Sequence, residues 1–257
     1  MLTAAASDST ALAASLDAEF RPLRPAERLA LLCRRIPGRV VFTTSFGLED
    51  QAITHLIAEA GLDIELATLD TGRLFPETHA LWAETERRYD VKIRAYHPAA
   101  EALDALIAET GIDGFYQRPE WRHACCGVRK MAPLGRALAG AAGWVTGLRA
   151  DQSDHRSAVP FVGLDAGRGL IKANPLLDHT RAEIAAFTAA RNVPVSPLHG
   201  RGFLSIGCAP CTRAVSPGEP ERAGRWWWES DARKECGLHL TPDGRLTRAR
   251  VPGAVGP

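Results

Sequence analysis

Cys125 and Cys126 are adjacent, and Cys208 and Cys211 follow far along the chain in a Cys-Ala-Pro-Cys stretch. Four thiolates in a CC…CxxC arrangement can hold a soft metal centre, and packing alone gives no reason for the pattern. A disulfide between the adjacent pair would close a strained ring. Structural zinc usually takes a CxxC knuckle on both sides, which the adjacent pair breaks. An iron–sulfur cluster needs four convergent thiolates and tolerates varied spacing. Spacing leaves cluster and zinc both open. Arg129 and Lys130 follow the first pair, on what reads as the same helix. Cations there would offset the charge of a tetrathiolate centre and extend toward an anionic substrate.

A fifth cysteine, Cys236, stands apart in Lys-Glu-Cys-Gly-Leu-His, flanked by Lys234 and followed by His239. Nearby cations favour a thiolate, so Cys236 is a candidate nucleophile where the quartet is a candidate ligand set. Cys33 lies within a helical run and reads as a small buried helix residue.

Other polar groups gather where predicted strands end. Ser45-Phe46-Gly47-Leu48-Glu49-Asp50 is a hydroxyl- and Gly-containing turn at a helix N-terminus, suited to an anion. In Asp70-Thr71-Gly72-Arg73 the glycine would let a ligand approach the backbone. Thr146-Gly147-Leu148-Arg149-Ala150-Asp151-Gln152-Ser153 ends a later strand. Arg149 and the nearby Arg156 would hold a phosphate or sulfate by charge-assisted bonds. Arg222 and Arg225 share a face if their segment is a turn of helix, and three consecutive tryptophans, Trp226 to Trp228, read as core. Each of these taken alone is also what an ordinary capped loop or solvated face would show. No GxxxxGK[ST] phosphate loop occurs.

The elements that must position these groups alternate. Residues 25–36, 49–60, 76–89, 99–110 and 180–191 carry helical spacing with Pro, Thr or Gly at their ends. Residues 40–44, 62–69, 91–96 and 144–147 are short β-rich runs between them. Alternation predicts an α/β fold, a parallel sheet with helices on both faces, whose ligands bind beyond the carboxyl ends of the strands. Residues 1–37 read as an N-terminal helical segment and 38–193 as the α/β domain holding Cys125 and Cys126. Residues 194–257, richer in Gly, Pro, Arg and Trp, read as an irregular C-terminal segment. It wraps over the sheet with Cys208 and Cys211 and ends in a mobile tail carrying Cys236.

Composition bounds the partners. Of 257 residues, 31 are Lys or Arg and 30 Asp or Glu, a formal charge of +1, so bulk electrostatics favour neither nucleic acid nor membrane. No apolar run approaches the roughly 20 residues that span a bilayer. The N-terminus lacks a basic region ahead of an apolar one, so it reads as an amphipathic helix rather than an export signal. Six cysteines are too few for a disulfide scaffold. A cytoplasmic location follows.

Taken together, SFGLED at 45–50, LDTGRLFPET at 69–78, CCGVRK at 125–130, TGLRADQS at 146–153, GCAPCTR at 207–213, ERAGRWWWE at 221–229 and KECGLH at 234–239 resemble the assimilatory adenylylsulfate reductases of the phosphosulfate reductase family. The motifs run in family order over about residues 38–240. The resemblance implies an adenine-nucleotide α-hydrolase-like sheet in 38–193. It implies a [4Fe–4S] cluster on Cys125, Cys126, Cys208 and Cys211, Cys236 as nucleophile, and Lys130, Arg222, Arg225 and His239 around the phosphosulfate. Ser45, Gly47 and the turn Asp70, Thr71, Gly72 and Arg73 fall where the family binds the nucleotide. The implied substrate is adenosine 5′-phosphosulfate, with thioredoxin as reductant.

Three rivals are weighed against it. A 3′-phosphoadenylylsulfate reductase generally lacks the quartet, although some cluster-bearing relatives accept both substrates. A tRNA-thiolating enzyme of the same fold would carry an SGGxDS-type loop where this chain has SFGLED. An iron–sulfur redox sensor would explain the quartet but not Cys236 and its Lys and His neighbours.

Overall fold

The computed structural model describes residues 2–152, 156 and 158–229, with side chains from residue 8 onward. Cys236 and His239 lie outside the described residues. Helices α1 (Leu2–Phe20) and α2 (Pro25–Arg35) precede an alternation of β1 (Val40–Thr44), α3 (Leu48–Glu59), β2 (Glu65–Leu69), α4 (Pro76–Tyr89), β3 (Arg94–Tyr96) and α5 (Ala100–Thr110). Then come α6 (Pro119–Cys126), α7 (Ala132–Ala137), β4 (Gly143–Val145), β5 (Val162–Asp165), β6 (Leu170–Ala173) and α8 (Arg181–Ala190). Prolines open α2, α4 and α6, where a missing N–H costs nothing. Thr180 caps α8 in a reciprocal capping box with Glu183.

The strands form one sheet in the order β3-β2-β1-β4-β6-β5. All neighbours pair parallel except β5 against β6. That antiparallel edge hairpin is absent from the alternation read in the sequence. It is closed by a tight turn in which Gly169, at φ 67°, donates its N–H to the Asp165 carbonyl at 2.7 Å. Asp-Ala-Gly-Arg-Gly between two short apolar runs is the signal that carried it. Strands β2 and β3 start at Glu65 and Arg94, later than the apolar runs suggest.

Side chains of successive strand residues serve two cores, as a period of two demands. Val40, Phe42, Leu66, Val145 and Ile171 join α1, α2 and α3 residues on one face. Val41, Ala67, Trp144 and Leu170 meet Leu134 and Leu138 on the other. Helices therefore cover both faces. Strand order reverses on either side of β1, so a crevice opens at its carboxyl end, between β2 and β4. Among the described residues no helix is long and apolar enough to cross a membrane.

Candidate active site

The crevice beyond β1 is a cleft of about 220 Å³. Its floor is made of Thr43 to Gly47, Thr68 and Leu69, and Thr146 to Leu148, the ends of three neighbouring strands. Its roof is Leu204 to Gly207 with Glu221, Arg222, Arg225 and Trp226, from the segment that follows α8. That segment is held over the strand ends by side-chain bonds such as Gln51 Nε2 to the Pro194 carbonyl at 2.7 Å.

Lys130, Arg156, Arg222 and Arg225 all line the cleft, together with Ser45 and Gly47. Four cations over a strand-end crevice make an anion site. Three carboxylates line it too, Glu49 and Asp50 at the start of α3 and Glu221 in the roof beside Arg222. Asp50 Oδ2 accepts the Ser45 N–H at 2.6 Å and the Ser45 hydroxyl at 2.7 Å. Ser45's donors are thus given to a carboxylate of its own turn. Burial pushes the Asp50 carboxyl up to about 6, against the Ser45 bonds and with Glu49 adding to the rise. Phe46 sits between at φ 59°, a left-handed conformation that costs an L-residue roughly 1–2 kcal/mol. Its ring is buried and stacked on Trp82 at 5.9 Å, which over-determines the turn.

Two glycines in the motifs have packing reasons that their sequence did not announce. A Cβ on Gly147 would stand 2.2 Å from Asp50 Oδ1, and one on Gly207 would stand 2.3 Å from the Arg225 guanidinium. Gly207 therefore lets Arg225 lie flat against the backbone of the GCAPC stretch.

Arg149, expected at the anion, does not line the cleft. Its guanidinium is fully buried behind the rim, gripping Glu49, Asp151 and Glu221. The Asp70–Arg73 turn likewise faces elsewhere. The Asp70 carboxylate accepts the Gly72 N–H at 2.9 Å and lies 3.2 Å from His79 Nε2. Gly72 is required by its own φ of 70° and has Arg129, not the cleft, as its neighbour. Thr71 Oγ1 is 3.2 Å from Cys208 Sγ, and Arg73 accepts the Ala209 N–H on its carbonyl at 2.8 Å.

That turn borders a second, smaller pocket lined by all four cysteines of the quartet. Helices α6 and α7 are joined through a π-helical turn, Gly127–Met131, a single wide turn of the kind found at functional sites. The turn carries Arg129 and Lys130. Arg129 Nη1 donates to the Thr71 carbonyl at 2.6 Å, fixing the Cys125 helix to the β2 turn. Five cations border the cysteines, Arg73, Arg122, Arg129, Lys130 and Arg225, and the lining contains no carboxylate. Burial pushes the Cys211 thiol up to about 12, with Cys208 adding to the rise, and burial also raises Cys125. Such thiols stay protonated at neutral pH until a metal displaces the proton. Among the described residues no group of three or more His, Cys, Asp or Glu side chains is placed around a single-ion position. The donor set is thiol only, which suits a soft centre.

Trp226 closes this pocket on one side and the cleft on the other, as Lys130 and Arg225 do. Two guanidinium groups lie over the Trp226 ring, Arg122 at 4.7 Å and Arg225 at 4.8 Å. Arg122 also forms a buried two-point pair with Glu229, at 2.7 and 2.8 Å. Arg222 and Arg225 sit in successive turns, with Arg225 bridged to Thr212, and not on a helical face. Of the three tryptophans Trp226 is core, while Trp227 is exposed against Tyr116.

Residues 39–214 match the family described as phosphoadenosine phosphosulfate reductase domain. The chain is 58% identical to the adenosine 5′-phosphosulfate reductase of Rhizobium meliloti (strain 1021), covering 84% of this chain and 81% of that protein. It is 49% identical to the protein of the same name from Allochromatium vinosum, covering 88% and 89%. Among solved structures it is similar to the phosphoadenylyl-sulfate reductase of Candida auris in its phosphate complex. There the TM-score is 0.68 and the identity 25%, over 79% of this chain and 96% of that one. The chain belongs to the phosphoadenosine phosphosulfate reductase family.

Proposed function

We propose that this protein reduces adenosine 5′-phosphosulfate to sulfite and AMP, with thioredoxin as the electron donor, in the cytoplasm. The observation that carries the reading is the convergence of Lys130, Arg156, Arg222 and Arg225 on one strand-end cleft. The names of the relatives, adenosine 5′-phosphosulfate reductases, support the substrate. The described cysteines form no disulfide with one another, in keeping with a reducing compartment.

In this reading the Cys236 thiolate attacks the sulfur of the phosphosulfate. The S–O bond to phosphate breaks, AMP leaves with the bonding pair, and Cys236 carries an S-sulfo group. One thioredoxin thiolate then attacks Cys236 Sγ and expels sulfite. The second thioredoxin thiol resolves the mixed disulfide, so two electrons pass from a dithiol to sulfur. Attack of an anion on an anion is opposed electrostatically, and the four cations lower that cost by holding the phosphosulfate charge. Lys234 and His239 would serve the thiolate.

Cys125, Cys126, Cys208 and Cys211 would hold a [4Fe–4S] cluster, whose contribution when bound is a fixed charge beside Lys130 and Arg225. The bordering cations suit a negatively charged tetrathiolate centre, and four thiols around a pocket suit a cluster in which each iron takes one ligand.

A 3′-phosphorylated substrate is less well served. Asp50 lines the cleft and takes both Ser45 donors, so this turn meets a further phosphate with a carboxylate and neither Ser45 donor. The test is anaerobic purification followed by iron and sulfide assay and by sulfite release from each nucleotide. Sulfite from adenosine 5′-phosphosulfate with the higher kcat/KM is expected. Preference for the 3′-phosphorylated nucleotide would overturn the substrate, and an iron-free active enzyme would overturn the cofactor.

A further inference from the structure

Arg149 has 0% exposure, less than any other buried arginine among the described residues, and it reaches three carboxylates from three segments. Its Nε donates to Glu49 Oε1 at 2.7 Å, at the start of α3. Its Nη2 donates to Glu221 Oε2 at 2.6 Å, in the roof, and its Nη1 to Asp151 in its own turn. Its backbone N–H donates to Gln152 Oε1 at 3.3 Å, and that same oxygen accepts from Arg156. Arg181 supports the roof end, 3.5 Å from Glu221 Oε1 and bonded to the Leu204 carbonyl at 2.9 Å.

We infer that Arg149 is a positioning residue for the anion site: without touching the ligand, its guanidinium sets Arg222 through Glu221. Glu221 precedes Arg222 in the chain, so whatever fixes its carboxylate fixes the backbone from which Arg222 projects. Three separate acceptors require the planar fork of a guanidinium, and a lysine ammonium cannot span them. Without Arg149, Glu49 and Glu221 would face each other as buried like charges. One would take up a proton or the roof would lift.

The charged neighbours fix the sign of a pH test. Glu221 faces Arg149, Arg181 and Glu49, and Arg222 adjoins it. Glu49 is flanked by Asp50 and lies near His199, which burial keeps below its ordinary range. In Arg149→Met, Glu221 keeps Arg181 while Glu49 loses its guanidinium partner, so the native state should bind a proton more readily than the unfolded chain. A raised carboxyl contributes stability at low pH that is lost as pH rises.

The role at the anion rests on the phosphosulfate reading, so two readouts are paired. Tm of parent, Arg149→Met, Arg149→Lys and Arg149→Met/Glu221→Gln needs no substrate. Relative to parent, Arg149→Met should lose Tm progressively from about pH 5 to about pH 8, and the added Glu221→Gln should restore much of it. Substrate affinity at neutral pH should fall about tenfold or more in Arg149→Met and in Arg149→Lys, with partial recovery in the double variant. Parental affinity in a folded Arg149→Lys protein would overturn the inference, as would a Tm deficit independent of pH and unrelieved by Glu221→Gln. Failure of the parent itself to turn over adenosine 5′-phosphosulfate would defeat the functional reading, and the pH slope of Tm would still decide whether Arg149 restrains the two carboxylates.

Discussion

The cleft and the cysteine pocket share a wall, yet they are built on opposite electrostatic plans. The cleft sets four cations beside three carboxylates, two of which are held by the buried Arg149 guanidinium. The cysteine pocket meets its thiols with five cations and no carboxylate, an arrangement that only neutralises. Under the proposed function one region selects the substrate and the other would hold a fixed anion. Lys130, Arg225 and Trp226 belong to both, so charge placed in one is felt in the other.

The most severe way to break the comparison is at the nucleophile. Cys236→Ser should lower turnover by about 10⁴-fold or more while iron content stays parental, because the two thiol functions are separate. Retained turnover would remove Cys236 from its role. Next come the cations. Lys130→Met should cost about 10²-fold in kcat/KM and also speed iron loss to a chelator, since Lys130 serves both pockets. Arg156→Met, confined to the cleft, should lower kcat/KM and leave iron loss unchanged. Equal effects of the two on iron would erase the distinction between shared and unshared cations.

A smaller effect is expected from Gly207→Ala. Its methyl would collide with the Arg225 guanidinium, so kcat/KM should fall about tenfold, less than for outright loss of a cation. The smallest concerns Asp50. Its carboxyl, at about 6, is raised above the ordinary 3.8, so its contribution to stability is present at low pH and lost as pH rises across that interval. Keeping it ionised at neutral pH costs about 3 kcal/mol even after the two Ser45 bonds have lowered the carboxyl against burial. Asp50→Asn should flatten that part of the profile in urea unfolding between pH 4 and 7, and an unchanged slope would assign the pH dependence elsewhere.

Much of this was legible in the chain. Helix α4 runs from Pro76 to Tyr89 as its proline and apolar spacing suggest, and α8 starts after Thr180 because the capping box is local chemistry. Lys130, Arg222 and Arg225, which the resemblance groups around one ligand, line one cleft. What the chain hid was long-range. Nothing local distinguishes Arg149, buried among carboxylates from distant segments, from Arg156, which lines the cleft. The Asp70–Arg73 turn ends a strand beside the crevice, yet the return of residues 207–211 draws it to the cysteines. The β5–β6 hairpin was missed because its strands are short and follow a run of parallel neighbours.

The central claim is that bond-making belongs to the cleft and Cys236 while the quartet stays a fixed anion. Peptide mapping of the parent enzyme after incubation with adenosine 5′-phosphosulfate, in the absence of reductant, tests it most directly. The account predicts a gain of one SO₃ on the peptide carrying Cys236, with AMP released in equal amount. An SO₃ on Cys125, Cys126, Cys208 or Cys211 instead, or sulfite released with Cys236 unmodified throughout, would contradict it.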